Sequence, residues 1–581
     1  MRLHSSQALT LLLLVHSVDK VVGLDLSQCF SDITTNASLT NNLVGLLDSN
    51  GYPVSNISDA AAISYSLCTS VCGNTRDFQW LALSQDFSSW LLPYLALISQ
   101  LPFGAQYRSD DIMSAILTVG SPVLAGYSLF VTLLNSRWIN HRFRQLPVKY
   151  PNSHFALSIV SSLQQVPLDL HSIDFASLVV LPENDCWWKI LSQQMNYTHK
   201  WSAASATSIA WVIIAYILSI ANSPSNAFTS TQADGGATGS MWLWLVPIVA
   251  GWLVLSPKCD FNRLQAAYDR ADEHAHTEST NVPAGTSTQR ALTITAQDHE
   301  VMSPDELLTP PVFNYSRSLP WANTADTMFQ VFEAASEKVR NRIPVNKPDE
   351  DGVWASDLRS AIHPDNRRGT HEQIRAYCAI TAQRSHWVPG VFTRMAFASC
   401  VSLALQWGTV GGAIIIEWFT PTTGMGCRSL SYFIYGAVST IIWMMLLISS
   451  ILAHYSAAYS NRKPSSARES PPRQEPLSAR VSLALWHCLR RMGKLLAITN
   501  SGWVITTCIL QYSDIYDTCF CNSSMLSRGA AAYITIFETS AQAALAKSAW
   551  FGALSLACGS ALAFFVIVGL LVDTIPTEPS L

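Results

Sequence analysis

Charge is scarce in this sequence. Asp, Glu, Lys and Arg make up 13% of its 581 residues, about half the share usual in soluble domains. With 49% hydrophobic residues and a mean hydropathy of +0.20, a wholly soluble globular class is excluded. Signatures of chemistry are also missing. There is no HExxH, no GxSxG elbow, no Walker loop and no GxGxxG following a strand. His274-Ala-His276 lies in a polar stretch and reads as solvated, and His371 and His386 lack partners at ligand spacing. No catalytic residue, cofactor or metal site is therefore expected, and the chain does not read as an enzyme. No charge falls near the middle of an apolar run, which argues against an ion-coupled carrier. No nucleic-acid partner is expected, and no internal repeat is visible.

Long apolar runs are what the chain has instead. They are Ile112–Leu134, Ser208–Ala221, Met241–Leu255, Met395–Ile416, Tyr432–Leu452, Leu495–Leu510 and Trp550–Val572. Most approach or exceed the ~17–25 residues that cross a bilayer as a helix. In lipid the backbone must satisfy its own hydrogen bonds, so helices are required. The expected fold class is an all-α membrane protein: a bundle of about seven transmembrane helices, a small Cys-containing ectodomain and long, partly disordered cytoplasmic loops.

Residues 1–23 read as a secretory signal, with Arg2, an apolar core over Ala8–Val18 and small residues near Gly23. Residues 24–86 then begin outside. The basic residues Arg137, Arg142, Arg144 and Lys149, the loop 258–394 and the Ser/Pro/Arg linker 455–494 all fall inside, as the positive-inside rule requires. On this scheme 112–257 is a first membrane part with three spans, 395–454 and 495–572 carry two spans each, and the tail 573–581 is cytoplasmic. The expected location is the secretory pathway, at the plasma membrane, with the bilayer as the obligatory partner. Phe87–Phe103 is apolar but holds Pro93 and Pro102. It is read as a re-entrant or interfacial helix, because an extra span would invert every later loop. An eighth span with a cytoplasmic N-terminus is the alternative.

Cys29, Cys68, Cys72, Cys427, Cys519 and Cys521 fall outside on this scheme, an even number suited to disulfides. Their pairing is open; Cys427 is expected to bond Cys519 or Cys521 and tie two outer loops together. The sequons at Asn36, Asn56 and Asn522 are glycosylation sites on the outer side, although Asn522 abuts Cys521 in a tight loop. The sequons at Asn196 and Asn314 would be cytoplasmic and unused.

Among the inner segments, Ala271–Pro311 is polar and Thr-rich and reads as disordered. Phe175–Leu181 is too short to span and is expected along the membrane face. Met328, Val331, Phe332, Ala335 and Val339 recur at helical spacing. That helix either packs on the membrane domain or binds a cytoplasmic partner through 258–394. Ser465, Ser466 and Ser470 lie among basic residues and would suit a kinase, although a solvated tether is the plainer role. Gly408 and Gly412 form a GxxxG suited to helix packing.

The phrases WLLPYLALISQLPF (Trp90–Phe103), GSPVLAGYSL (Gly120–Leu129), TLLNSRWI (Thr132–Ile139), TPTTGMGCRSLSYFIYG (Thr420–Gly436) and CFCNSS (Cys519–Ser524) together resemble a group of integral membrane proteins of filamentous fungi. The group has no assigned activity to transfer. Some members are encoded beside secondary-metabolite genes, which implies at most a link to secondary metabolism. Two functions stay open. One is a sensor, receptor or scaffold; the other is a transporter or facilitator for a small molecule, with Pro122, Gln406 and Asn500 lining its path. Oligomeric state is not readable.

Overall fold

The computed structural model describes residues 26–35, 44–72, 78, 80, 83–84, 87, 91–170, 172–197, 202–221, 230–275, 292–293, 304–346, 362–379, 387–460, 477–513 and 515–573. The signal read at 1–23, Asn36, the three linker serines and residues 574–581 lie outside these. The described elements are predominantly helical.

The bundle helices are α1 (Leu92–Ile98), α2 (Arg108–Gly120), α3 (Pro122–Arg144), α4 (Ala203–Ala221), α5 (Gly236–Leu255), α6 (Asn314–Arg340), α7 (Val391–Phe419), α8 (Cys427–Ser460), α9 (Leu477–Tyr512) and α10 (Ser540–Asp573). Four of them, α5, α7, α8 and α10, are long and apolar enough to cross a membrane, and α2 with α3 would make five if that pair were one span. The count falls short of seven for local reasons. In α4 the apolar part is short. In α9 the run from Leu495 carries Asn500 and Ser501 and follows Arg490, Arg491 and Lys494. The expected span Ile112–Leu134 is broken at Pro122, the residue whose type allows a kink there: α2 and α3 are bent by 107°. Pro122 has no N–H to continue the ladder and its ring would clash with the preceding turn, so it starts a new helix instead.

Small residues let the bundle close. A Cβ on Gly412 would lie 2.9 Å from the Ala553 carbonyl oxygen, and one on Gly408 would lie 2.3 Å from Ser560 Oγ. α7 and α10 therefore approach backbone to backbone. Trp242 and Trp244, near a segment end, are buried packing residues rather than surface anchors. Outward, α4 exposes Trp211, Ile214 and Ile217, and α10 exposes Leu562, Val566 and Leu570. Continuous apolar faces of this kind need apolar surroundings.

A second hydrophobic core lies at one end of the bundle and is called the base domain below. Its pieces come from distant stretches: Ile139 and Phe143 at the end of α3, helices Ser153–Ser162, Ser172–Val180 and Asp185–Met195, helix Phe261–Asp272, the later part of α6, and helix His371–Tyr377. Phe175–Leu181 does not lie along a surface; from Phe175 to Leu181 its apolar side chains are buried in this core. The face of α6 bearing Met328, Val331, Phe332 and Ala335 is also consumed here, so it is not free to dock a partner. α6 belongs to two cores: Tyr315 and Leu319, with Phe313 just before the helix, pack in the bundle, whereas Trp321 onward packs in the base.

At the opposite end sits a small cap. Strands Leu46–Leu47, Ala62–Ser64 and Tyr533–Thr535 form an antiparallel sheet, so residues near the two ends of the chain share one ladder. Its core holds Phe30, Ile33, Leu46, Ile63 and Ile534 around Cys68 and Cys519. Three disulfides join Cys29 to Cys72, Cys68 to Cys519 and Cys427 to Cys521. Of the two partners open to Cys427, the structure selects Cys521. The described free cysteines include Cys378, buried in the base core, and Cys259, buried just before the base helix Phe261–Asp272.

Candidate functional site

The densest set of polar side chains inside the bundle surrounds the break between α2 and α3. Ending a helix at Gly120 frees backbone carbonyls, and in an apolar interior each free carbonyl costs several kcal/mol. Two neighbouring helices supply the missing donors. Tyr435 Oη donates to the Val119 carbonyl at 2.7 Å, and Asn500 Nδ2 donates to the Gly120 carbonyl at 2.8 Å and the Tyr435 carbonyl at 3.2 Å. Ser121 caps the new helix by accepting from Leu124 N, and its hydroxyl donates to the Ser439 carbonyl at 3.0 Å. Ser439 Oγ in turn donates to Gln406 Oε1, and the Gln406 amide donates to the Gly436 carbonyl at 2.9 Å and to Thr440 Oγ1 at 3.2 Å. The chain α2–α9–α8–α7 is thereby stitched into one brace. Gly120 is required for it, because a Cβ there would lie 2.3 Å from the Ala497 carbonyl oxygen.

The three positions read as path-lining all belong to this brace. Pro122 is the first residue of α3 and is buried, Gln406 is 0% exposed, and Asn500 is 2% exposed. Gln406 and Asn500 are tied to separate parts of the brace, Gln406 through Ser439 and Gly436 and Asn500 through Gly120 and Tyr435. Beside the break, between the arms of the bent pair, Ser114, Thr118 and Ser128 join Pro311, Val312 and Trp252 around a cavity of about 10 Å³. That is room for one water molecule, and the hydroxyls could hold it.

A second polar group joins the bundle to the base domain. Asp305 is 1% exposed. It accepts from Lys494 Nζ and Tyr315 Oη, and Arg490 Nε stands 3.5 Å away. Deeper in, Arg317 Nη2 donates to Asn314 Oδ1 at 2.6 Å and to the Pro310 carbonyl at 2.9 Å, and Asn314 donates to Thr132 Oγ1 at 2.8 Å. Taking a carboxylate out of water is costly unless such partners surround it. Sequence reading missed Asp305 because it lies in the polar stretch taken as disordered. Arg490 and Lys494 fall in the stretch 455–494, which was read only as a basic linker. The Gly120-Ser121-Pro122 triplet was the available signal for the break.

At the cap, a cavity of about 40 Å³ is lined by Glu417, Arg428, Asn522 and the turn Thr420–Gly426. Asn522 accepts from Arg428 Nη1 at 3.2 Å and donates to Asp517 at 3.4 Å. The sequon at Asn522 is thus half-buried in a polar cluster, whereas Asn56 is exposed. Asn314 is buried. Among the described residues no three His, Cys, Asp or Glu converge as metal ligands. No family model, curated protein or solved structure matches this chain.

Proposed function

We propose that this chain is a sensor- or scaffold-type membrane protein. On this reading the bundle crosses the bilayer about seven times, with the cap outside and the base domain and C-terminal tail in the cytoplasm. One observation carries the preference over transport. Gln406 and Asn500, the polar side chains best placed to line a path, are buried and hydrogen-bonded into the brace. Such a bundle holds a fixed relation between two folded ends, which suits presenting or relaying better than conducting. The base domain, built largely from 137–200 and 258–394, is the surface offered to a cytoplasmic partner. The secretory pathway and plasma membrane remain the proposed location.

A facilitator for a small molecule is the second reading. The broken helix ending inside the bundle favours it, since carriers use such breaks. Reconstituted vesicles separate the two. The first reading expects small-solute flux equal to that of empty vesicles, together with a protein that crosslinks to 258–394 in native membranes. Saturable flux, with a small molecule co-purifying in place of that protein, would overturn it.

A further inference from the structure

We infer that Phe87–Phe103 makes the first membrane crossing, and that α2 and α3 form a re-entrant wedge entered and left on the base side. Three sets of contacts carry this. First, the described chain Leu91–Gly104 descends in step with α5. Tyr94 Oη donates to the Gly239 carbonyl at 3.0 Å, and its ring stacks on Trp242 at 6.0 Å. Leu101 and Pro102 lie against Trp252. Cys259 Sγ donates to the Phe103 carbonyl at 3.4 Å, and Phe261 N donates to the Gly104 carbonyl at 3.0 Å. The segment thus starts beside the cap-side half of α5 and finishes past its base-side end. Leu92–Ile98 is helical, turn bonds continue to Leu101, and irregular residues from Pro102 complete the descent.

Second, both ends of the bent pair lie at the base. Asp111 accepts from Gly104 N and Ala105 N, each at 3.1 Å, and Gly104 touches Asp260, the cap residue of a base-domain helix. At the other end Ile139 and Phe143 sit in the base core, and Arg142 pairs with Asp326 at 3.0 Å. Third, the tip reaches the centre. Ser121 meets Ser439, which meets Gln406, and Gln406 stands about midway along α7 between Arg394 and Glu417. α3 runs back from that point, passing Ser402 at Gly126, Phe397 at Phe130 and Arg394 at Asn135.

The exchange removes the conflict in the sequence. Had both Phe87–Phe103 and a straight Ile112–Leu134 crossed, every later loop would invert. With the pair folded back, one crossing replaces the other, and Arg137, Arg142 and Arg144 stay cytoplasmic. α3 then becomes a rod from the base core to the bundle centre. The inference stands whether the protein relays or conducts.

Position 107 decides it. A straight span from Ile112 puts Tyr107 outside; the wedge puts it inside, and Tyr107 is 63% exposed. In full-length protein with Cys186, Cys400, Cys488 and Cys558 changed to Ser, Tyr107→Cys is expected to resist a membrane-impermeant maleimide on intact cells. It should react fully once the membrane is opened. Tyr52→Cys in the cap, where Tyr52 is 70% exposed, should react on intact cells. Ser109→Cys, also exposed, serves if the first variant is unstable. Labelling of position 107 or 109 on intact cells to the level of position 52 would overturn the inference.

Discussion

The two ends of the molecule are held by different means. The base domain gathers a large aromatic core: Phe332 alone faces the rings of Phe143, Tyr150, Phe175 and Trp188. The described base has no disulfide, and its thiols at Cys259 and Cys378 are buried and free. Burial pushes both thiols up to about 12, helped at Cys259 by the nearby Asp260 carboxylate, which keeps them unreactive. The cap has a handful of apolar residues, strands of two or three residues, and three disulfides. A core that small cannot offset chain entropy alone, so covalent links stand in for packing. The contrast shows how one chain stabilises each end by whichever route its size allows.

If the contrast is right, the two ends fail separately. The largest effect is expected from Phe332→Ala, which should destabilise the base by about 3–5 kcal/mol through the cavity it leaves. Hydrogen exchange should rise across base peptides while the disulfide map stays intact; equal loss of protection in the cap would break the distinction. Cys68→Ser should cost the cap about 2–5 kcal/mol, with strand exchange at Ala62–Ser64 rising and base protection unchanged. Between the ends, Asn500→Ala leaves the Gly120 carbonyl without that donor. It should lower detergent-solubilised stability by about 1–3 kcal/mol, read as a lower unfolding temperature of the bundle.

The smallest effect concerns acid. Burial would raise the Asp185 carboxyl, but hydrogen bonds from Arg367 and Asn152 outweigh it and hold the group below its ordinary value. A carboxylate with a lowered folded value contributes stability above its ordinary range and loses it as pH falls through the lowered value. Asp185 is 44% exposed, so solvent screens the pair. Arg367→Ala should cost at most about 1 kcal/mol at neutral pH and should flatten the base domain's loss of stability below about pH 4. An unchanged acid profile would remove Asp185 as a source of that sensitivity.

The all-α class and the apolar helices were legible because apolar runs are local, and the six cysteines read as disulfide candidates do pair. The base domain was not. Its core is assembled from segments such as Phe175–Leu181 and Met328–Ala335, each too short to declare a partner. The two-stranded sheet Asp169–Leu170 with Leu292–Thr293 pairs residues 122 and 124 positions apart. Gln406 and Asn500 were visible as intramembrane polar residues, but their role was not: polar groups in a helix look alike whether they line a path or satisfy a neighbour's broken backbone. Pro122 marked the break, while the angle at which the chain turned there depended on Gly120 meeting Ala497.

The Cys68–Cys519 bond spans 451 positions. During synthesis Cys68 must remain unpaired, or borrow another thiol, until nearly the whole chain has emerged. At roughly 5–20 residues per second that wait lasts on the order of 20–90 s. A chain terminated before residue 519 lacks the second sulfur and cannot close this link. The bond therefore closes only in a chain synthesised past Cys519.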